Sequence, residues 1–308
     1  MKNLFRRMSI PTYAANTVRI KVKRLWYTFI NSNSPYRKLR KHVSVEKSST
    51  HQLTFTPFYD CFGYMDFEKA KEYYKDNNDI VPQIMLALFE SNQMIVTDKI
   101  DINRLKGLAQ TLFDKGTIEK KGLYFYTNTV YKKFDLHGDH YSGITQAKAA
   151  SFFLRCYYFN REEIYLNWAK MSLVACQRKY EDGGILRTID QNIWVEEYQS
   201  PTPSMVLNGY IFVIIALGEY NTFENQTLND FYTQSMSSLL SWLPHYYYGN
   251  DILYSTYRWS FCNIHYLGIL QYQFYHLYKL TQLEIFNSQA IRMEKIGNEK
   301  LFKAMLCN

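Results

Sequence analysis

From Met205 to Leu217 the chain reads MVLNGYIFVIIAL. Wound into a helix, this stretch puts apolar side chains on nearly every face. A helix of that kind has to be surrounded by protein, because no face is left for water. It is too short to cross a bilayer, which needs about 20 apolar residues. The fold must therefore wrap it on all sides, which excludes a single-layer or sheet-dominated body. The pattern predicts a helix over 203–217, with Pro203 in its first turn and Ser200 or Thr202 as cap. Two adjacent carboxylates, Glu196 and Glu197, and the ring of Tyr198 stand just before it. Free N–H groups and the helix dipole favour negative charge at such a start, so an anionic ligand is expected there.

Helical periodicity governs most of the remaining chain. DFEKAKEYYKD, Asp66–Asp76, reads as a short helix. Asp79 with Pro82 opens IVPQIMLALFESNQ, and Asp101 opens INRLKGLAQTLFDKG with Gly116 at its end. Further helices are predicted over 142–159, 162–179, 228–243 and 262–283. Between them lie aromatic-rich extended segments, 118–134, 184–198 and 246–259, that read as strands or hairpins. The repeating unit of helix, loop, helix and strand-like arm predicts a mainly α fold, an incomplete helical toroid with inner and outer rings. The candidate functional residues cluster in the extended arms and at the adjoining helix ends.

The net charge of +8 is unevenly placed. Residues 1–50 hold twelve of the 36 lysines and arginines but one of the 28 acids, Glu46, so the remainder carries a slight acidic excess. This predicts a basic arm or linker over 1–50 and a folded body over 51–308. It also argues against nucleic acid as a partner, since the body has no basic surplus. The arm suits an anionic membrane surface or a biosynthetic partner. Cys61, Cys156, Cys176, Cys262 and Cys307 are widely spaced, without a CxxC pair, which predicts free thiols in a reducing compartment. The charged start is followed by no apolar block, unlike a secretory signal. His137 and His140 flank Asp139 without a further ligand cluster and read as a polar turn, so no metal is expected.

Three segments carry a resemblance to a known family. EEYQSPTPSMVLNGY, from Glu196, is similar to the EEYPTTPSSFVLNGF of D-glucuronyl C5-epimerases, matching at Glu196, Glu197, Tyr198, Ser204, Val206, Leu207, Asn208 and Gly209. The pair Thr202-Pro203 is displaced by one position. YSGITQAKAASFFLRCYYF, from Tyr141, resembles the family's YSGMAQGQAIS…RAY, and RWSFCNIHYLGILQ, from Arg258, is a weaker likeness. The matches span about Tyr141 to Gln271. The resemblance implies an α/α barrel with short β-hairpins roofing a cleft. It also implies cofactor-independent conversion of glucuronate to iduronate in an acidic polysaccharide, as in capsule or exopolysaccharide synthesis. The family's animal members are luminal and membrane-anchored. This chain has no anchor-like run, so a bacterial, cytoplasmic protein, peripheral to the inner membrane, is expected.

Inverting C5 of a uronate requires a base on one face of the ring, a proton donor on the other, and a cation for the enolate-like charge. The resemblance assigns Glu197 as the base and Tyr198 as an active-site tyrosine. The family's second catalytic tyrosine lies in a motif resembling WDYHTTHINQL. Aligned on Trp259 and His265, this chain has Phe261 in that place, and phenylalanine cannot transfer a proton. The loop before it is shorter than in the family, leaving Tyr257 first and Tyr254 second as substitutes, with Tyr266 a further tyrosine able to reach the second face. Arg258, Tyr141, Gln146, Asn208, His265 and Glu196 are expected to bind substrate. The loss at Phe261 leaves two alternatives open: an impaired relative that binds an acidic glycan, or a uronate polysaccharide lyase, which begins with the same proton abstraction.

Overall fold

A helix that is apolar on every side needs walls on every side. The computed structural model, which describes residues 79–306 apart from Asn225, supplies them. The basic arm 1–50, its boundary at residue 51, the Asp66–Asp76 helix, Cys61 and Cys307 lie outside the described residues.

Helix α1 (Ile80–Thr97) is capped by Asp79, whose Oδ1 accepts from the Val81 N–H at 2.9 Å. Helix α2 (Ile102–Lys115) is capped by Asp101, which accepts from the Arg104 N–H at 2.9 Å. Strands β1 (Thr117–Glu119) and β2 (Gly122–Tyr124) form a short hairpin. The rest of the 118–134 arm is not a strand, since Lys132–Phe134 closes as a 3-10 turn. Helix α3 (Gly143–Asn160) starts on Ser142, whose Oγ accepts from Thr145 N–H. Helix α4 (Glu163–Ala175) ends before the expected residue 179, because the chain folds through turns to Gly183, at φ +78°. Strands β3 (Leu186–Ile189) and β4 (Asn192–Val195) follow as a second hairpin. Next come α5 (Leu207–Asn221) and α6 (Asn229–Trp242). Strands β5 (Tyr247–Tyr248), β6 (Asp251–Ser255) and β7 (Ser260–Phe261) make a three-stranded antiparallel sheet in the order β5-β6-β7. Two long helices finish the chain, α7 (Ile264–Thr281) and α8 (Glu284–Leu306).

The odd helices form the inner layer and the even helices the outer one. Helix α3 packs on α1 and α5, and α5 packs on α7, while each inner helix is backed by the outer helix that follows it. This is the α/α-barrel arrangement. Every side chain from Leu207 to Tyr220 in α5 is buried, and each large apolar one contributes about 2 kcal/mol. The outer helices bury one seam each, such as Leu105, Ala109 and Leu112 in α2. Helix α8 was not expected from the sequence. Its seam of Phe286, Ala290, Met293 and Ile296 is buried, but charged residues fill much of the rest.

One polar knot ties all four inner helices together near their C-terminal halves. Glu219 of α5 accepts from Ser151 Oγ of α3 at 2.7 Å and lies 3.5 Å from both Arg155 Nη1 of α3 and His276 Nε2 of α7. Arg155 Nε donates in turn to Asn92 Oδ1 of α1 at 2.9 Å. A buried carboxylate and guanidinium are tolerable only when paired and hydrogen-bonded in this way. The knot fixes the inner helices relative to each other and leaves their N-terminal ends to face the hairpins.

Cys156, Cys176 and Cys262 are free and buried. Burial raises the Cys156 and Cys176 thiols well above their ordinary range, so both act as small apolar side chains. Among the described residues, no helix is long and apolar enough to cross a membrane.

Candidate active site

The chain leaves β4 at Val195 and reaches α5 at Leu207 through a loop whose shape is set by Glu196. Its carboxylate is fully buried. It accepts from the Ser204 N–H at 3.1 and 3.2 Å, from the Ser204 hydroxyl and from the Met205 N–H at 2.9 Å, and Arg187 Nε lies 3.5 Å away. Tyr246 donates to the Met205 carbonyl at 2.7 Å, and the Ser255 hydroxyl donates to that of Ser204. These contacts hold Met205 at φ +43°, a left-handed conformation that is strained for a long side chain. They also correct two expectations. The helix begins at Leu207 with Val206 as its cap residue, not near 203 with Ser200 or Thr202. Glu196, expected to bind substrate, is spent on its own loop.

Glu197 points the other way. Its carboxylate lies against the first turn of α5, where Gly209 makes room for it. A Cβ built on Gly209 would fall 2.6 Å from Glu197 Oε2 and 2.7 Å from its Cβ. Only glycine permits this approach. Glu197 as a whole is 8% exposed. The Tyr254 hydroxyl of β6 donates to Oε1 at a long 3.4 Å. Oε2 is buried without a hydrogen-bond partner among the described residues. Burial pushes the Glu197 carboxyl up to about 7, opposed by hydrogen bonding from Tyr198, the charge of Lys148 and hydrogen bonding from Tyr254, and helped by the charge of Glu196. Burial and the neighbouring Glu197 charge hold Tyr198 and Tyr254 well above the ordinary tyrosine range. Both therefore stay neutral hydrogen-bond donors near pH 7.

All three hairpin arms converge here. Tyr198 stacks on Phe134 at 3.7 Å between ring centroids and meets Tyr131 edge-on at 5.6 Å. Tyr254 packs on Tyr266, in the first turn of α7, at 4.5 Å. Arg258 lies 4.7 Å over the Phe134 ring and donates through Nη1 to the Lys133 carbonyl, while its Nε is buried without a partner among the described residues. Lys133 sits 5.9 Å over the Tyr254 ring. A buried carboxylate, neutral tyrosines and a cation with a donor to spare can remove and return a proton beside an anionic group.

The other expected site residues divide. Asn208 is in the first turn of α5 beside Gly209. Its carbonyl accepts from Gln273 Nε2 at 2.7 Å, and its Oδ1 is buried without a partner among the described residues. His265 is half-buried and lies edge-on to Tyr266 at 5.3 Å. Tyr257, preferred over Tyr254 as second base, is 53% exposed in the β6–β7 turn, and it is Tyr254 that reaches Glu197. Tyr141 is fully buried, donates to the Ala175 carbonyl at 3.3 Å and packs edge-on against Tyr124 and Tyr126. Gln146 is likewise buried, clasping the Leu123 carbonyl at 3.0 Å and the Phe125 N–H at 3.3 Å. The structure thus gives Tyr141 and Gln146 packing and tethering roles in place of the expected substrate contacts, because every polar atom of theirs named here is engaged internally. Phe261 is half-buried in β7, with its ring 5.9 Å from that of Tyr248. His137 and His140 form a turn: His137 Nε2 is 3.3 Å from Asp135, and His140 Nδ1 is 2.9 Å from the Gly138 carbonyl.

Lys148 was not anticipated. It is 1% exposed in the middle of α3. Two signals pointed to it: a lone charge inside the small-residue run GITQAKAAS, and a lysine where the resembled segment has glutamine. Phe134 gave no such signal, because its role depends on a turn that periodicity does not reveal.

The sequence model of the family described as D-glucuronyl C5-epimerase C-terminus matches residues 119–300, more than half of the chain. An uncharacterized protein of Methanocaldococcus jannaschii is 28% identical over 183 residues, 56% of this chain and 59% of that one. A D-glucuronyl C5-epimerase of Caenorhabditis elegans is 26% identical over 153 residues, 46% of this chain and 25% of that protein. The chain therefore spans less than two thirds of both relatives. Among solved structures, a D-mannose isomerase is similar with a TM-score of 0.52 and 11% identity, covering 84% of each chain; that likeness is one of fold.

Proposed function

The chain belongs to the D-glucuronyl C5-epimerase C-terminus family, and from that premise we propose that it is a carbohydrate epimerase that inverts C5 of a uronate in an acidic polysaccharide. In this reading Glu197 removes the C5 proton. Its carboxyl, pushed up to about 7, is basic enough to accept a carbon-bound proton and still ionised in half the molecules at neutral pH. Arg258 meets the substrate carboxylate, where charge builds as the proton leaves, and its unpaired Nε is the donor directed there. Tyr198 and Tyr254, held neutral, donate to the developing charge. Phe261 cannot return the proton on the opposite face, and Tyr254 touches Glu197 instead of facing it. The return step then falls to Tyr266, the half-buried tyrosine next in the cluster. Residue chemistry alone suffices, so no cofactor is invoked. A glucuronate polymer of a capsule or exopolysaccharide is the substrate class that fits, at a membrane-peripheral site of synthesis in a bacterial cytoplasm.

The observation that carries this reading is the buried carboxylate of Glu197 on Gly209, hydrogen-bonded by Tyr254. The same 3.4 Å contact also favours a second reading. A base and an acid on one side of the ring suit elimination across C4 and C5, the chemistry of a uronate lyase. One experiment separates them. The protein is incubated in deuterated water with unsulfated glucuronate polymers and followed by NMR. Epimerisation places deuterium at C5 of intact chains, and Glu197→Gln lowers that exchange by at least about 100-fold. New unsaturated chain ends mark a lyase. Binding without either product marks a glycan-binding relative and ends the enzymatic reading.

A further inference from the structure

A lysine that is 1% exposed, in the middle of an inner helix, must have its charge answered nearby. Lys148 reaches from α3 toward α5, with its Nζ 4.7 Å from the centroid of Phe212. Phe212 stands one turn beyond Gly209, the glycine that carries the Glu197 carboxylate. The start of α3 is locked to the same chain segment: Gly143 N–H donates to the Glu196 carbonyl at 3.0 Å, and a Cβ on Gly143 would lie 2.9 Å from that oxygen. The two helices thus bring a buried cation and a buried anion to one wall. The other nearby carboxylates are engaged: Glu196 by Ser204, Met205 and Arg187, and Glu219 by Ser151, Arg155 and His276.

We propose that Lys148 is a positioning residue of this site, the standing counter-charge that keeps the Glu197 carboxylate ionised and aimed away from the core. This rests on Glu197 being the base of the proposed reaction. Five other titratable or charged groups face or flank Glu197. Glu196 precedes it in the chain and opposes its ionisation, Tyr198 favours the ionised form, and Tyr254 donates to it at 3.4 Å. Lys133 lies beyond the Tyr254 ring. Tyr266 of α7 packs on the Tyr254 ring, 4.5 Å between centroids. Among the described residues, Lys148 is the cation whose charge favours ionised Glu197 from within the barrel wall. At an effective dielectric of about 20, two unit charges about 10 Å apart interact by an amount on the order of one pH unit.

The first test is the pH profile of C5 exchange in Lys148→Gln. Losing the cation moves the acid limb to higher pH, so the ratio of wild-type to variant exchange is about tenfold larger at pH 6 than at pH 9. Lys148→Arg, which keeps the charge, holds the acid limb within about half of that displacement. A ratio that does not vary with pH marks a purely structural lysine and overturns the proposal. The second test needs neither substrate nor a Lys148 variant. In the wild type, the 15N resonance of Lys148 Nζ is followed from pH 5 to 9. It should show an inflection near pH 7 as Glu197 ionises, and Glu197→Gln should abolish it. A resonance without that inflection in the wild type overturns the proposal, whatever the exchange assay gives. An inflection in a protein that exchanges no uronate would sustain Lys148 as the counter-charge and refute the proposed reaction instead.

Discussion

Replacing Glu197 with glutamine should stabilise the protein, and by an amount that grows with pH. In the unfolded chain a glutamate has a pKa of about 4.3. In the folded protein, burial pushes Glu197 up to about 7. The folded state therefore binds this proton more tightly than the unfolded state does. Below pH 4 the group is protonated in both states and costs nothing. Between pH 4 and 7 the unfolded chain ionises freely while the folded one resists, so stability falls as pH rises. Above pH 7 the penalty is complete. A displacement of about 2.5 units corresponds to about 3 kcal/mol, and the attraction of Lys148 is already contained in that figure. Glutamine resembles the protonated acid in shape. It keeps an acceptor for Tyr254 and loses at most about 1 kcal/mol of hydrogen bonding. Glu197→Gln should thus be equal to or slightly weaker than wild type at pH 4 and about 2 kcal/mol more stable at pH 8.5. Urea denaturation of both proteins from pH 4 to 8.5 measures the gap. Glu196, also pushed up to about 7 by burial, is present in both, and its repulsion of ionised Glu197 is contained in the same figure. A gap that stays flat with pH, or shrinks as pH rises, would refute the claim that this carboxylate is held in a desolvated site.

Two further outcomes follow from the same geometry. Gly209→Ala places a methyl group 2.6 Å from Glu197 Oε2. Overpacking should cost about 2 kcal/mol, partly offset by alanine's better helix propensity, and C5 exchange should fall at least about tenfold as the carboxylate shifts. Unaltered exchange in this variant would remove Glu197 from the reaction. Glu196→Ala strips the Ser204 and Met205 N–H groups of their acceptor. Two buried donors left unpaired should cost about 3 kcal/mol in denaturation at pH 6, before Glu196 itself ionises; a loss under about 1 kcal/mol would mean that Tyr246 and Ser255 hold the loop unaided.

What the sequence determined by itself was the material of the fold. A run with apolar side chains on every face, MVLNGYIFVIIAL, can only be an interior helix, and its neighbours carry helical periodicity with caps at Asp79, Asp101 and Ser142 that the structure uses. Local chemistry is enough for such features, because caps and periodicity are set by residues a few positions apart. The EEY segment, too, could be marked from sequence as the place to look. What each of its carboxylates does could not. Glu196 and Glu197 are neighbours of the same type, and alternation at the end of β4 sends one into its own loop and the other onto Gly209. The choice of Tyr254 over Tyr257 is decided by Tyr254 facing inward on β6 while Tyr257 is exposed in the turn after it. Tyr141 and Gln146 lie in a family-like segment, yet their polar groups are consumed by Ala175, Leu123 and Phe125, which are distant in sequence. Lys148 acquires meaning only because α3 and α5 pack side by side, bringing its ammonium to the wall that holds Glu197. Charge interactions and desolvation depend on what surrounds a group in space, and only the tertiary structure fixes those surroundings.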